Sequence, residues 1–409
     1  MPQIRSITAF SNLDATDYAP QMTRAGAFLA SAREAYTAAG QVVQTVRLAT
    51  APFPGHFAAI SPAALPAFAT QLYNAAQAQG IDFLALGPVR PADDPAYLTA
   101  LEDVFRAAPG VFAGGVIAAP ATGLDLAMAA RVARLVDALG RVTPDGMTNL
   151  FFAALANCPA FSPFFPAAYH DGGEPAFALA IEAADLAVTA FADSTTAGEA
   201  QARLTEGITA TAAQLLPTAE KLAAEHGLRF VGLDFSLAPY PTDARSLGGA
   251  LEALGPSIGG YGLVAAASLM MNAVESANFP AVGFSGLMLP VLEDSILGAR
   301  AAQGRLSVTD LLLLSAVCGT GLDCIPLAGD VGPDALYSML LDVGALALRL
   351  DKPLTARLMP FPGKQAGDPL EFDFEYFASS RALASPAQGI RPGTVLSTGG
   401  GAVRIRPRR

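Results

Sequence analysis

Through the first 140 residues, short strand-type runs alternate with longer segments whose apolar positions recur at helical spacing. The strand-type runs are Ile4–Phe10, Val42–Leu48, Phe83–Leu86 and Val111–Ile117. Between them, Asp17–Ala39, Pro66–Gly80, Tyr97–Ala107 and Leu124–Leu139 carry helical periodicity, and Gly40, Gly80 and Gly140 stand where helices end. Alternation of this kind predicts βαβ units and a largely parallel sheet.

The middle of the chain is less regular. Thr148–Leu155 and Ala176–Ile181 read as strands, separated by NCPAFSPFFPAAYHDGGEP, a proline- and phenylalanine-rich loop of a length that marks a pocket wall or lid. Ala197–His226 reads as a long helix broken near Pro217, and Leu228–Phe235 as a strand. Beyond it the pattern predicts helices over Ala244–Leu254, Tyr261–Ser276, Val291–Ala302, Val308–Ala316 and Pro333–Leu350. Strands are expected at Ala281–Met288, Thr355–Met359, Phe372–Phe377 and Ala402–Ile405. No linker and no fixed-period repeat interrupts the chain, so one large α/β unit is expected.

Composition narrows the partners. Of 409 residues, 52% are hydrophobic and 15% charged, yet the most apolar run, Gly262–Val274, is too short to span a bilayer and is followed by Glu275. The start, MPQIRSITAF, lacks the basic and apolar regions of a signal peptide. A net charge of −11 with only 25 Lys and Arg argues against nucleic acid and anionic membrane, apart from the terminal RIRPRR. Three cysteines fit a reducing cytoplasm better than a disulfide framework.

Four segments run from apolar sequence into a turn bearing Ser, Cys, Lys or Asp: VGLDFSLAP, GFSGLMLPVLED, SAVCGTGLDCIPLAGD and ARLMPFPGKQAGD. Ligands in parallel α/β folds bind at the carboxyl ends of strands, where such turns gather. The competing role for each Asp or Ser is a helix cap. Cys318, before Gly319, Thr320 and Gly321, reads either as a nucleophile in an anion nest or as a small buried hydrophobe. Asp234, Glu293 and Asp323 are candidate acid–base groups, and Ser236, Ser285 and Lys364 candidate ligand contacts. His170, with Asp171 and Glu174 beside it, is a candidate metal ligand, proton shuttle or substrate contact. Asp294 and Asp330, with neighbouring carboxylates, suit a hard cation such as Mg²⁺ or Ca²⁺, although acids at a helix start have a dipole role of their own. The spacing of Cys318 and Cys324 matches no zinc pattern, and no Walker A or strand-linked GxGxxG occurs. STGGGAVR is a glycine run of the kind that lies against phosphate.

Taken together, DFSLAPYP, GFSGLMLPVLED, SAVCGTGLDCIPLAGD and ARLMPFPGKQAGDPLEFDFEYFA resemble the uncharacterised family known as DUF711 or UPF0210, and with IRSITAF the resemblance covers nearly the whole chain. It implies a fold similar to pyruvate formate-lyase: a ten-stranded α/β barrel over 1–409, built from two antiparallel half-barrels of roughly 1–225 and 226–409. Cys318 to Asp323 would then be the central finger loop with its thiol inside. The tail TVLSTGGGAVRIRPRR does not match the RVxGY-like glycyl radical motif, so no glycyl radical is expected. The functional expectation is a non-radical barrel enzyme acting on a small anionic metabolite in a pocket lined by Cys318 and carboxylates. The alternative is a metabolite-binding or regulatory protein with a small ACT-domain partner. A homo-oligomer is expected in either case.

Overall fold

A computed structural model describes residues 2–384, 389–390, 393–397 and 400–407. Its main element is one large sheet. Five strands, β1 (Gln3–Phe10), β2 (Val43–Ala49), β3 (Phe83–Val89), β4 (Val111–Ala119) and β6 (Phe152–Ala156), lie side by side and parallel. A short β5 (Gly123–Asp125) folds back on β4. At one side of this block β7 (Ala176–Glu182) pairs antiparallel with β1 and carries β8 (Arg229–Asp234) parallel to itself. At the other side β10 (Leu354–Phe361) pairs antiparallel with β6 and carries β9 (Gly321–Ala328) parallel to itself. The order is β8-β7-β1-β2-β3-β4-β6-β10-β9. The expected parallel α/β sheet is therefore present, with two outer pairs running against the central block. Two-residue strands β11 (Pro369–Leu370) and β12 (Ser380–Arg381) pair with each other, and β13 (Ala402–Val403) pairs with β5.

Helices cover the outer face. They are α1 (Ala19–Ala38), α2 (Phe53–His56), α3 (Leu65–Ala78), α4 (Ala96–Ala107), α5 (Leu126–Leu139), α6 (Ala184–Ala192), α7 (Ala197–His226), α8 (Leu247–Ala253), α9 (Leu263–Ser276), α10 (Ser295–Ala302), α11 (Val308–Ser315) and α12 (Gly332–Leu350). Local chemistry starts and stops them. Asp125 caps α5 through the Met128 N–H, Ser307 and Asp310 form a capping box at α11, and Gly227 ends α7 in the left-handed region at φ 64°. None of these helices is long and apolar enough to cross a membrane.

Several elements differ from the sequence pattern. α7 runs unbroken through Pro217, because its buried stripe of Leu204, Ile208, Ala212, Leu215, Ala219 and Leu222 outweighs one lost backbone bond. A 3-10 turn at Met147–Phe151 takes up the start of the expected 148–155 strand, leaving β6. Ala281–Met288 is not a regular strand: Gly283 and Ser285 take positive φ, and it makes two isolated parallel bridges, Leu233 of β8 to Ala281 and Leu237, just past β8, to Leu287. Phe372–Phe377 is an irregular loop between β11 and β12, although its alternation survives as inward aromatics and outward acids. The stretch Cys318–Asp323, expected as a loop, is only in part a turn, since Gly321 onward is β9, a strand buried along its whole length. Thr398, Gly399, Arg408, Arg409 and Pro386, which belong to the glycine run, the basic terminus and the Gly/Pro-rich tail, lie outside the described residues.

The inner face is unlike the outer one. Ala49, Ala85, Ala176 and Ala178 point inward beside Phe10 and Phe112. These small side chains leave room for the 157–175 loop, which turns back across the inner face and packs Phe165 and Ala168 there.

Candidate functional site

Three guanidinium groups meet in a cavity of about 160 Å³ on the inner face: Arg5 from β1, Arg47 from β2 and Arg357 from β10. β1 and β10 are separated by four strands in the sheet order, so the sheet curls for their side chains to share one space. Arg5 arrives by an irregularity. Ile7 and Ala9 of β1 pack under the helices while Phe10 packs inside, and a strict two-residue period would send Arg5 outward with Ile7. The β1–β7 register shifts between Ile4 and Ser6, and this bulge turns Arg5 into the cavity.

One carboxylate answers two of the arginines. Arg5 Nη2 donates to Glu293 Oε2 at 2.9 Å, and Arg357 Nη2 to Glu293 Oε1 at 3.2 Å. Arg357 Nε also donates to Asp323 Oδ1 at 2.7 Å, and the Cys324 thiol to Glu293 Oε1 at 3.2 Å. Burial works against the charge on Glu293, but Arg5 and Arg357 outweigh it and hold its carboxyl below the usual range. Burial pushes the Cys324 thiol well up.

Arg47 is different. Its Nε donates to Thr45 Oγ1 at 2.8 Å, and its guanidinium carbon lies 5.6 Å from the Phe83 ring centre and 5.1 Å from that of Phe165. No ion pair and no acceptor for its two terminal nitrogens occurs among the described residues. Desolvation, with repulsion from Arg5 added, pulls its pKa down to about 9. It remains a cation at neutral pH, held by Thr45 and the two rings, with Asp82 acting on it through space and no contact ion pair among the described residues.

Opposite in chemistry is Asp234, at the end of β8. Ser236 Oγ donates to Asp234 Oδ1, as does the Ser285 N–H at 3.0 Å, and the Phe284 N–H donates to Oδ2 at 3.0 Å. Burial nevertheless pushes the Asp234 carboxyl up. Aromatic and aliphatic side chains make the rest of the wall, among them Pro163, Phe164 and Phe165 from the 157–175 loop, with Phe112, Ile181 and Met288.

Of the residues expected from sequence, the cavity gathers Asp234, Ser236 and Glu293, with Asp323 held behind by Arg357. The others stand elsewhere. Cys318 does not line the cavity: it is 1% exposed, packed in the core under the helices, with its carbonyl accepting from Lys352 Nζ. Gly319 lies against Gly286, where a Cβ on either would come within 2.6 Å of the other's Cα, so these glycines serve close backbone approach. Gly321 sits at φ 100° against the Thr355 carbonyl, and the Thr320 carbonyl accepts from Thr355 N–H and Oγ1. Ser285 Oγ donates to the carbonyls of Val282 and Leu233, leaving its N–H as its link to Asp234. His170 is fully buried, bonded through Nδ1 to Asn12 and Nε2 to the Glu174 carbonyl, away from the cavity. Lys364 lines a separate outer cleft and donates to the Pro369 carbonyl.

Cation binding by Asp294 and Asp330 is not assembled. Asp330 is exposed at the end of β9. Asp294 spends both oxygens on Ser246 Oγ and on the N–H groups of Leu247, Gly248, Ile296 and Leu297, joining the first turns of α8 and α10. Among the described residues, Glu293, Asp323 and Cys324 alone lie close enough to share a metal ion. Arg5 and Arg357 already neutralise those two carboxylates, which removes the negative charge a divalent cation requires. Sequence reasoning missed Arg5, Arg47 and Arg357. The available signal was an arginine within a strand-type run, the one charged residue in each of β1, β2 and β10. Iodoacetamide at neutral pH is expected to leave Cys318 and Cys324 unmodified in the folded protein and to label them after denaturation, read by mass spectrometry.

Fold and site together define an α/β protein with an arginine-bearing cavity on the inner face of a mostly parallel sheet. The chain belongs to the DUF711 family, whose model, described as an uncharacterised ACR, matches residues 2–379. A UPF0210 protein of Pyrobaculum arsenaticum is 35% identical over 256 residues, 60% of this chain and 56% of the relative. One of Pyrobaculum islandicum is 32% identical over 346 residues, 80% of this chain and 76% of the relative. One of Lactobacillus delbrueckii subsp. bulgaricus is 26% identical over 364 residues, 86% and 81% of the two chains. The match thus spans little more than half the length of the P. arsenaticum relative.

Proposed function

We propose that the protein binds a small anionic metabolite in the central cavity, where Asp234 and Ser236 are placed to exchange a proton with it. The observation that carries this is Arg47: a guanidinium fixed between two rings, with both terminal nitrogens lacking an acceptor among the described residues. A desolvated cation of this kind is unfavourable until an anion reaches it. Asp234 supplies the second half, because its raised pKa brings it closer to the range useful for proton transfer. The chemistry drawn here is closed-shell and makes no use of Cys318.

We also read the 281–288 segment as a tenth strand that closes the sheet, giving two five-stranded parallel halves of opposite direction. Support comes from its parallel bridges to Leu233 of β8 and to Leu237 just past it, and from the Gly319 N–H, just before β9, donating to the Leu287 carbonyl at 2.8 Å. Closure of this kind would explain why residues from both halves line one cavity.

Arg47→Met tests the anion site. Without ligand the variant is expected to be more stable than wild type by about 1–2 kcal/mol, after allowing for water that reaches the guanidinium. For a chain of this size that is a rise in Tm of roughly 1–3 °C. The sign follows from the depressed pKa: the folded state binds the proton more weakly than the unfolded state, so the charge opposes folding at pH 7. The difference should narrow as pH rises above about 9. The same variant should lose the stabilisation that millimolar acetate or inorganic phosphate gives wild type. Equal anion-dependent shifts in both proteins would refute the site.

A further inference from the structure

We propose, resting on the anion reading above, that the ligand is a short apolar monocarboxylate and that Phe374 and Leu150 set the longest chain the cavity accepts. The donors left over in the cavity are few. Glu293 takes one Arg5 nitrogen, and Arg357 is spent on Glu293, Asp323 and the Leu150 carbonyl. Arg47 offers one free edge, two parallel N–H groups matched to one planar carboxylate, and Arg5 Nε and Nη1 are the other guanidinium donors without an acceptor among the described residues. No lysine lines the cavity, and its polar side chains lie on Gln44, Thr45, Asp234, Ser236 and Tyr376 besides the charged network. Phe83, Phe112, Phe165, Ile181 and Met288 make a hydrocarbon wall beside the anchor.

The far end is closed by a shared pair. Leu150 and Phe374 line both this cavity and the outer cleft bounded by Met147, Phe361, Phe372 and Lys364. A ligand tail that outgrows the inner space meets these two side chains before it reaches the cleft. Phe374 sits on the 371–379 loop, whose ends are fixed by the β11–β12 pair and by the Ala378 N–H donating to the Leu292 carbonyl at 2.7 Å. Along that loop Phe372, Phe374 and Tyr376 are partly buried while Glu371, Asp373 and Glu375 are exposed. Glu371 and Asp373 line the outer cleft beyond this pair, where a second negative group at the distal end would meet like charge, so a monocarboxylate is selected over a dicarboxylate.

The test is thermal stabilisation by a series of linear monocarboxylates, acetate to octanoate, with succinate and inorganic phosphate alongside, on wild type, Phe374→Ala, Leu150→Ala and Arg47→Met. In wild type, affinity should rise roughly threefold to fourfold per methylene and then fall once the tail reaches Phe374. Phe374→Ala and Leu150→Ala should each move that cut-off to longer chains, and Phe374→Leu serves in place of an alanine variant that does not fold. An unchanged cut-off in the folded variants overturns the length-setting role. Arg47-dependent stabilisation that is strongest with succinate or phosphate overturns the ligand class while keeping the anion site. Absence of any Arg47-dependent stabilisation overturns the anion site itself, and this proposal with it.

Discussion

Replacing Glu293 with alanine is expected to destabilise the protein by about 3–5 kcal/mol, because the buried Arg357 loses one of its two carboxylates and the partly exposed Arg5 loses its ion pair. For 409 residues this is a fall in Tm of roughly 3–6 °C, measurable by calorimetry. Arg357 keeps Asp323, but Arg5 keeps no ion pair among the described residues. Acid should erase the difference. The folded pKa of Glu293 lies below its ordinary 4.5, so its contribution is present above that value and is lost as pH falls through the folded pKa. Wild type and variant should therefore converge in acid. A variant as stable as wild type at pH 7 would mean that the arginines relax to other partners.

The second large effect is expected from Asp294→Ala. Its carboxylate accepts five hydrogen bonds and fastens α10 to the start of α8. Losing a cap alone costs about 1 kcal/mol, and buried donors left without a partner cost about 1–3 kcal/mol each before water and local relaxation recover part of it. A total of about 3–5 kcal/mol follows, with Asn recovering only part because one oxygen becomes a donor. Added Mg²⁺ or Ca²⁺ should not change the melting temperature of either protein through this residue. A cation-dependent shift that Asp294→Ala abolishes would restore it as a ligand.

Much of the local structure was legible because it depends on neighbours in sequence. Helical spacing marked α1, α3, α4, α5 and α12, and glycines marked ends such as Gly40 and Gly80. The proline- and phenylalanine-rich loop reads in sequence as a pocket wall or lid, and Pro163, Phe164 and Phe165 line the cavity. Failures fell where a distant contact outweighed a local preference. Pro217 lies inside a helix because the buried stripe holds it, and the alternation at Phe372–Phe377 is a loop because β11 and β12 close it after two residues each. The alanine-rich strands look uninformative in sequence, yet on the inner face their small side chains are what admits the 157–175 loop.

The site divides in the same way. Asp234, Ser236 and Glu293 were visible because each stands in a turn that follows an apolar run. Cys318 looked equally promising, but glycine beside a thiol reports close backbone approach as readily as a ligand nest, and here Gly319 packs against Gly286. Sequence by itself determined the alternation of strands and helices, the parallel character of the sheet and the membership of the DUF711 family. Only the tertiary structure decided which charges meet. Arg5, Arg47 and Arg357 are far apart in the chain, one of them turned inward by a bulge, and their convergence depends on the curl and strand order of the sheet, which no local pattern encodes.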